Sequence, residues 1–190
     1  MQDRRARRRE DTRQEILAAA WSLARERGLT GWSLREVAEA VGMRAPSLYV
    51  YFDRKDAIYD AMFAQAYRDL IDEVDQLSPA GEPREDLRRS AQLFLTFCVR
   101  DPARYQLLFL RVVPGFVPSA ESYALAEESL DQLRNLFTEM GITDPGAVDL
   151  WTALATGLAS QQISNDPDGD RWTRLTDRAV DMFLESELEP

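Results

Sequence analysis

The chain has no histidine, and that absence removes more chemistry than any other feature of its 190 residues. Nucleophile systems that pair serine or cysteine with an imidazole base cannot be built, and neither can a metal site held by imidazole nitrogen. Cysteine is nearly missing as well. Cys98 stands alone, so no internal disulfide can form, which fits a reducing cytoplasm. No run approaches the roughly 20 apolar residues that a membrane-spanning helix needs. The first residues are basic but have no apolar segment behind them, so no signal peptide is expected. No glycine-rich phosphate loop is present. Carboxylates are plentiful, yet they fall at helix caps or on polar faces. Neither an enzyme nor a bound cofactor is expected.

What remains is the composition of a globular protein: 45% hydrophobic and 29% charged. The length suits one compact unit, or a small head with a larger body. The formal net charge of −10 argues against a nucleic-acid partner until its distribution is examined. Met1–Asp60 holds 12 basic and 10 acidic residues, whereas the remaining chain holds 11 and 23. Such asymmetry describes a head that tolerates phosphate and a body that repels it. Met1–Arg9 carries five arginines and one acid. It is expected to be a disordered arm in isolation, either solvated or laid on phosphates or in a minor groove.

The stretch Ser33–Lys55, SLREVAEAVGMRAPSLYVYFDRK, organises the rest. Ser33 is an N-cap with Glu36 three places on as a capping-box partner. Leu34, Val37, Ala38 and Val41 form an apolar stripe at helical spacing. Gly42 ends that helix. A second helix starts near Ala45 with Pro46 in its first turn, where a missing N–H is tolerated. Leu48 can point inward while Arg44, Ala45, Ser47 and Tyr49 stay outside. This is a helix-turn-helix shape, whose second helix can enter a DNA major groove. Arg44 can reach guanine acceptors or phosphate, and Ser47 base or backbone. Tyr49 and Tyr51 can donate to phosphate, and Lys55 adds a positive charge. The same shape also occurs in proteins that never touch DNA.

The run VAEAVGMRAPSLYVYFDRKDAIYDA resembles the DNA-binding signature of the tetracycline-repressor family. That signature is V-A-x-x-x-G, then L-Y-x-Y/H-F-x-x-K and an apolar residue. Here it is carried by Val37, Ala38, Gly42, Leu48, Tyr49, Tyr51, Phe52, Lys55 and Ile58. Pro46 departs from the glycine or polar residue of many relatives, so readout there must be apolar or by shape. The resemblance implies an all-α protein: a three-helix head, a long connecting helix and a C-terminal helical bundle. It implies a DNA-binding domain over 1–55, including the arm 1–9, and a ligand-binding and dimerisation domain over 56–190. Ser33, Arg44, Ala45, Pro46, Ser47, Tyr49, Tyr51 and Lys55 become the DNA-binding candidates.

The other segments read as helices from their own periodicity. Asp11–Arg27 is the first, with Trp21 and Trp32 expected in the head core. Lys55–Leu77 follows, with Ile58, Met62, Ala66, Leu70 and Val74 every fourth residue. Ser78–Pro83 breaks the chain. Helices are expected over Arg84–Arg100, after Asp101-Pro102, and from a Ser119 cap to Met140 with Tyr123 on the inward stripe. A further helix is expected from Asp144-Pro145 to about Ser164, and one more through Trp172 and Phe183. Asp166-Pro167-Asp168-Gly169-Asp170, with Asp177 at the twelfth place, is similar to a calcium loop. Arg171 occupies the sixth place, which requires glycine, so a connecting turn without metal is expected.

From the resemblance, the body should hold a small-molecule pocket. Phe94, Phe97, Cys98, Tyr105, Phe109, Tyr123 and Trp151 are its candidates, with Gln106, Gln161 and Gln162 as polar tips. They suit a largely apolar effector, although for each residue taken singly plain core packing is the favoured reading. The resemblance also implies a homodimer through the last two helices, which would place two recognition helices on a near-palindromic operator. A constitutive helical DNA-binding or protein-interaction module without an effector is the alternative.

Overall fold

The computed structural model describes residues 2–188. All regular structure among them is helical: α1 (Gln2–Arg27), α2 (Leu34–Ala40), α3 (Ala45–Leu48), α4 (Lys55–Asp75) and α5 (Pro83–Arg100) come first. Then follow α6 (Pro102–Phe109), α7 (Ala120–Glu139), α8 (Ala147–Asn165), a 3-10 turn (Thr173–Leu175) and α9 (Thr176–Leu188). Among the described residues no helix is long and apolar enough to cross a membrane.

Packing divides the chain into two compact units. The first runs through Ala66 and takes in Ala103–Tyr123; the second comprises Tyr67–Pro102 and the chain from Ala124 onward. In the first unit α1 packs on α2, and α2 on α3. Ile16, Leu17, Ala20, Trp21, Trp32, Val37, Leu48, Phe52, Ile58 and Met62 are buried there. The first turn of α7 is fastened to α4 in the same unit. The Asp60 carboxylate accepts from Ser119 N (2.7 Å) and from the hydroxyls of Ser119 and Ser122 (both 2.9 Å). Ser119 Oγ in turn accepts the Ser122 N–H at 3.2 Å and so caps α7.

In the second unit α5 packs on α8 and α9, and α8 on α9. Their core joins Leu87, Ala91, Phe137, Ile142, Val148, Trp151, Val180, Phe183 and Leu184. The Phe183 ring lies 5.1 Å from that of Phe137 and 5.2 Å from that of Trp151, tilted against both.

Four expectations need correction. The arginine-rich arm is helical from Gln2 as a continuation of α1, and Met1 lies outside the described residues. Gln, Arg, Ala and Glu are good helix formers, and extending an anchored helix requires no new nucleus. α8 starts at Ala147 rather than at Pro145, because the Asp144 carboxylate accepts the Gly146 N–H at 2.7 Å and turns the chain first. Tyr123 does not join the inward face of α7: it is 51% exposed, while its neighbour Ser122 is buried against Asp60.

Gln162 is the fourth. It is fully buried, yet it serves the α8–α9 loop and not a ligand. Its Nε2 donates to the carbonyls of Asp166 and Gly169, and its Oε1 accepts from Trp172 N (2.8 Å) and Thr173 N (3.2 Å). The Asp166 carboxylate accepts the Arg171 N–H at 2.9 Å and leaves no room for a Cβ at Gly169. The acidic run is a turn stapled by a buried amide.

Candidate nucleic-acid interface

Ser33 opens the helix-turn-helix with a reciprocal capping box. Its hydroxyl accepts the Glu36 N–H at 3.3 Å, and the Glu36 carboxylate accepts the Ser33 N–H at 2.8 Å. Hydrogen bonds from the Ser33 hydroxyl and then its N–H, with Arg27 alongside, hold the Glu36 carboxyl below its ordinary pKa. α2 closes in a Schellman turn: Met43 N donates to Ala38 O at 2.8 Å and Gly42 N to Glu39 O at 3.1 Å. Gly42 sits there at φ +69°, a conformation that a Cβ penalises.

Arg44 is extended, and α3 begins behind it with Pro46 in the first turn. Ser47 N donates to Arg44 O at 2.8 Å, Val50 N to Ser47 O at 3.3 Å and Tyr51 N to Leu48 O at 2.9 Å. The helical turn therefore runs on past Leu48. Leu48 is completely buried. That leaves Arg44, Pro46, Ser47, Tyr49 and Val50 exposed, with Ala45 and Tyr51 half-buried.

Two α1 arginines hold the far end of this turn: Arg9, the last residue of the basic arm, and Arg13, which sequence reasoning did not single out. Arg9 Nη2 donates to Val50 O at 3.3 Å, and Arg13 Nη1 to Tyr51 O at 3.1 Å. Arg13 also lies over the Phe52 ring, 4.4 Å from its centroid. Their spacing of four puts them on one helix face. That spacing is the signal that could have found them.

Lys55, the only lysine in the chain, turns back into the fold. Its Nζ donates to Trp32 O at 2.6 Å and Thr30 O at 3.3 Å, and lies 4.2 Å from the Trp32 ring centroid. Burial pushes its pKa down, against the attraction of Glu36 and Asp56. Tyr59 works beside it. Its hydroxyl donates to Leu29 O at 2.5 Å, and burial, assisted by Asp56, pushes the phenol up to about 12, so it remains a donor at neutral pH. The start of α4 thus grips three carbonyls of the α1–α2 loop, and that loop leads directly into Ser33. The polar atoms of Ser33 and Lys55 are engaged by the fold, whereas Arg44, Ser47 and Tyr49 stand on the surface.

Residues 16–62, which span the helix-turn-helix and the start of α4 but not Arg9 and Arg13, match the family model described as bacterial regulatory proteins, tetR family. An HTH-type transcriptional regulator of Mycobacterium tuberculosis is 32% identical over 188 residues, covering 95% of this chain and 69% of the relative. The chain belongs to the TetR family. It is a DNA-binding transcriptional regulator with an N-terminal helix-turn-helix, and its relatives are regulators rather than enzymes. A second relative, the HTH-type transcriptional repressor DrrR1 of Streptomyces coeruleorubidus, is 30% identical over 169 residues, 87% of this chain and 58% of its own length. The regulator also shares its fold with FadR from Bacillus subtilis, solved in complex with stearoyl-CoA. The TM-score is 0.69 at 16% identity, over 90% of this chain and 97% of FadR.

The seven pocket candidates of this TetR-family chain are divided between its two units. Phe94, Phe97, Cys98 and Trp151 belong to the second. Trp151 is buried against Phe183, Phe94 packs on the same core, and Phe97 and Cys98 are buried on α5. Burial pushes the Cys98 thiol up, which makes it a poor nucleophile or redox sensor. Tyr105, Phe109 and Tyr123 belong to the first unit. The Tyr105 and Phe109 rings lie 5.7 Å apart on α6, and Tyr123 is outward.

Proposed function

We propose that the chain is a homodimeric, effector-responsive repressor that binds a near-palindromic operator and is released by a small, largely apolar molecule. The observation that carries this reading is the α2–α3 geometry: Leu48 anchors the second helix while Arg44, Pro46, Ser47 and Tyr49 stand exposed on its outer side. Arg44, Ala45, Pro46 and Ser47 face the bases. Ser33, Tyr49, Tyr51 and Lys55 form the phosphate-side set, in which Ser33 and Lys55 also fix the loop that presents the others. Residues 1–55 act as the DNA-binding domain and 56–190 as the ligand-binding and dimerisation domain.

A dimer through α8 and α9 is supported by their outward residues. Leu150 is 51% exposed and Met182 58%, and Ala153 and Gly157 continue the exposed side of α8 with small residues that permit close approach. Repression is supported by DrrR1, a repressor, and an effector with a long apolar chain by FadR, whose bound stearoyl-CoA joins such a chain to a charged CoA head. The candidates for that effector remain Phe94, Phe97, Cys98, Tyr105, Phe109, Tyr123 and Trp151. The effector must favour one spacing of the paired heads over another, since a ligand with equal affinity for both shifts nothing. α4 is the natural lever, because a helix of about 20 residues extends about 30 Å.

The packing of Phe94 and Trp151 into the core of the second unit favours a second reading, a constitutive DNA-binding or interaction module without effector. The test is fluorescence anisotropy against the DNA upstream of the protein's own gene and against a scrambled duplex, at two salt concentrations, with size measured in parallel. Tight binding that survives scrambled competitor, at two subunits or more per site, supports the operator reading. Equal, salt-sensitive binding to both duplexes removes it. Release of the specific complex by fatty acyl-CoA then separates the effector-responsive reading from the constitutive one.

A further inference from the structure

The exposed side of the α3 segment carries few hydrogen-bonding side chains. Arg44, Ser47 and Tyr49 supply them, and between and beyond these stand Pro46 and Val50. Val50 is 66% exposed. A lone exposed valine is ordinary on a protein surface, but this one is placed. Its N–H is held by Ser47 O, its carbonyl by the Arg9 guanidinium and the next carbonyl by that of Arg13. The direction of its side chain is therefore set by three hydrogen bonds. Pro46 lies four positions earlier in the same turn, and both stand away from buried Leu48. Arg44, two positions before Pro46, and Arg9, whose guanidinium bonds the Val50 carbonyl, are exposed cations, as are Arg4, Arg5 and Arg8 on α1 and Arg54 after the turn. An apolar pair with one guanidinium near each member fits a polyanion whose groove displays methyl groups, and the major groove displays one only at thymine, on its C5.

We infer that Pro46 and Val50 read thymine 5-methyl groups, so that the operator half-site is selected by methyl contacts as well as by hydrogen bonds from Arg44 and Ser47. This rests on the operator-binding reading above. It commits that reading to a base and to a residue, Val50, that the candidate set omitted. Removing one methyl from such a contact exposes about one CH2-sized group on each side, which corresponds to roughly fourfold in affinity.

The full-length protein is first used to select duplexes from a random library, and the enriched duplex is resynthesised with deoxyuridine replacing each thymine in turn. Deoxyuridine keeps the pairing and the phosphates and removes only the methyl. The expected result is at least one thymine per half-site whose replacement weakens binding by about fourfold, with the penalty shrinking in Val50→Ala or Pro46→Ala. Both residues are exposed, and a thermal melt verifies that the variants fold. If the selected duplex binds tightly and no deoxyuridine weakens it, the methyl reading is overturned and operator binding stands. If the penalty persists undiminished in both variants, the methyls are read by other residues and the assignment fails. If selection enriches no sequence, operator binding itself fails and takes this inference with it.

Discussion

The two compact units are held together by different means. In its interior, apart from Gln162, the second is held mainly by apolar packing with the Phe137, Trp151 and Phe183 rings at its centre, while Arg88 to Asp181, Gln92 to Asp177 and Arg89 to the Ser78 carbonyl add polar contacts at its surface. The first has its own buried residues, but its loops are set by long polar side chains that reach backbone carbonyls: Lys55 to Thr30 and Trp32, Tyr59 to Leu29, Arg9 to Val50 and Arg13 to Tyr51. A unit that meets DNA keeps one face of a short helix exposed, so it cannot hold that helix by burying it on all sides. Gripping the backbone ahead of α2 and just past α3 positions the helix-turn-helix and leaves its outer side chains available.

Five experiments break or sharpen this contrast. The largest effect is expected for Phe183→Ala, which removes a ring touching both Phe137 and Trp151. Denaturant unfolding should show a loss of about 3–5 kcal/mol, and a loss under about 1 kcal/mol would mean that this core is not tightly packed. Lys55→Ala comes next, at about 1.5–3 kcal/mol for the charged hydrogen bonds to the two carbonyls. It should also weaken binding to every duplex. A lower melting temperature with an unchanged salt slope makes Lys55 a positioning residue, and a slope smaller by about one makes it a phosphate contact. Because no other lysine exists, protection of Lys55 from amine labelling by bound DNA provides a second readout.

Gln162→Met tests the exception in the second unit. It leaves the N–H groups of Trp172 and Thr173 without their acceptor, so about 1–3 kcal/mol is expected, with faster proteolysis in the 166–172 turn. Unchanged proteolysis would show that the turn holds without its amide. Gly42→Ala should cost about 1–2 kcal/mol through its left-handed backbone and reduce operator binding with it. The smallest effect belongs to Glu36. Its carboxyl is held below the ordinary value of 4.5 in the folded state, so between the two values the unfolded chain binds more protons. The stability it adds is present above that ordinary value and is lost as pH falls through the lower folded one. Glu36→Gln should flatten this part of the acid-unfolding curve, and an unaltered curve would assign the acid sensitivity elsewhere.

Much of the helical architecture was legible in the residues. The Ser33–Glu36 box, the Gly42 stop and Pro46 in a first turn are local devices, each complete within one or two turns of chain, and each appears in the structure where the pattern placed it. The start of α8 was not legible, because Asp144 turned to the Gly146 N–H before a helix could begin at Pro145. Tyr123 was misread for another reason. Helical spacing defines a stripe but not its ends, and the first turn of α7 is oriented by Asp60, 62 positions from Ser122. Gln162 looked like a polar tip in an apolar helix, and only the path of the following loop showed four backbone groups converging on it.

The candidate DNA face divides along the same line. That Arg44, Ser47 and Tyr49 stand on the outer side of the motif's second helical turn follows from the motif alone, since capping, a glycine stop and one inward leucine settle the local backbone. That Lys55 bonds carbonyls 25 and 23 positions away, and that Arg9 orients Val50 from 41 positions away, needed the assembled chain. The sequence by itself determined most of the helical segments and where the motif lies, because hydrogen bonds and periodicity within a helix span only a few residues. Only the tertiary structure decided which polar side chains brace the head and which are left facing outward, because a long side chain takes its partner from whatever backbone the fold brings within reach.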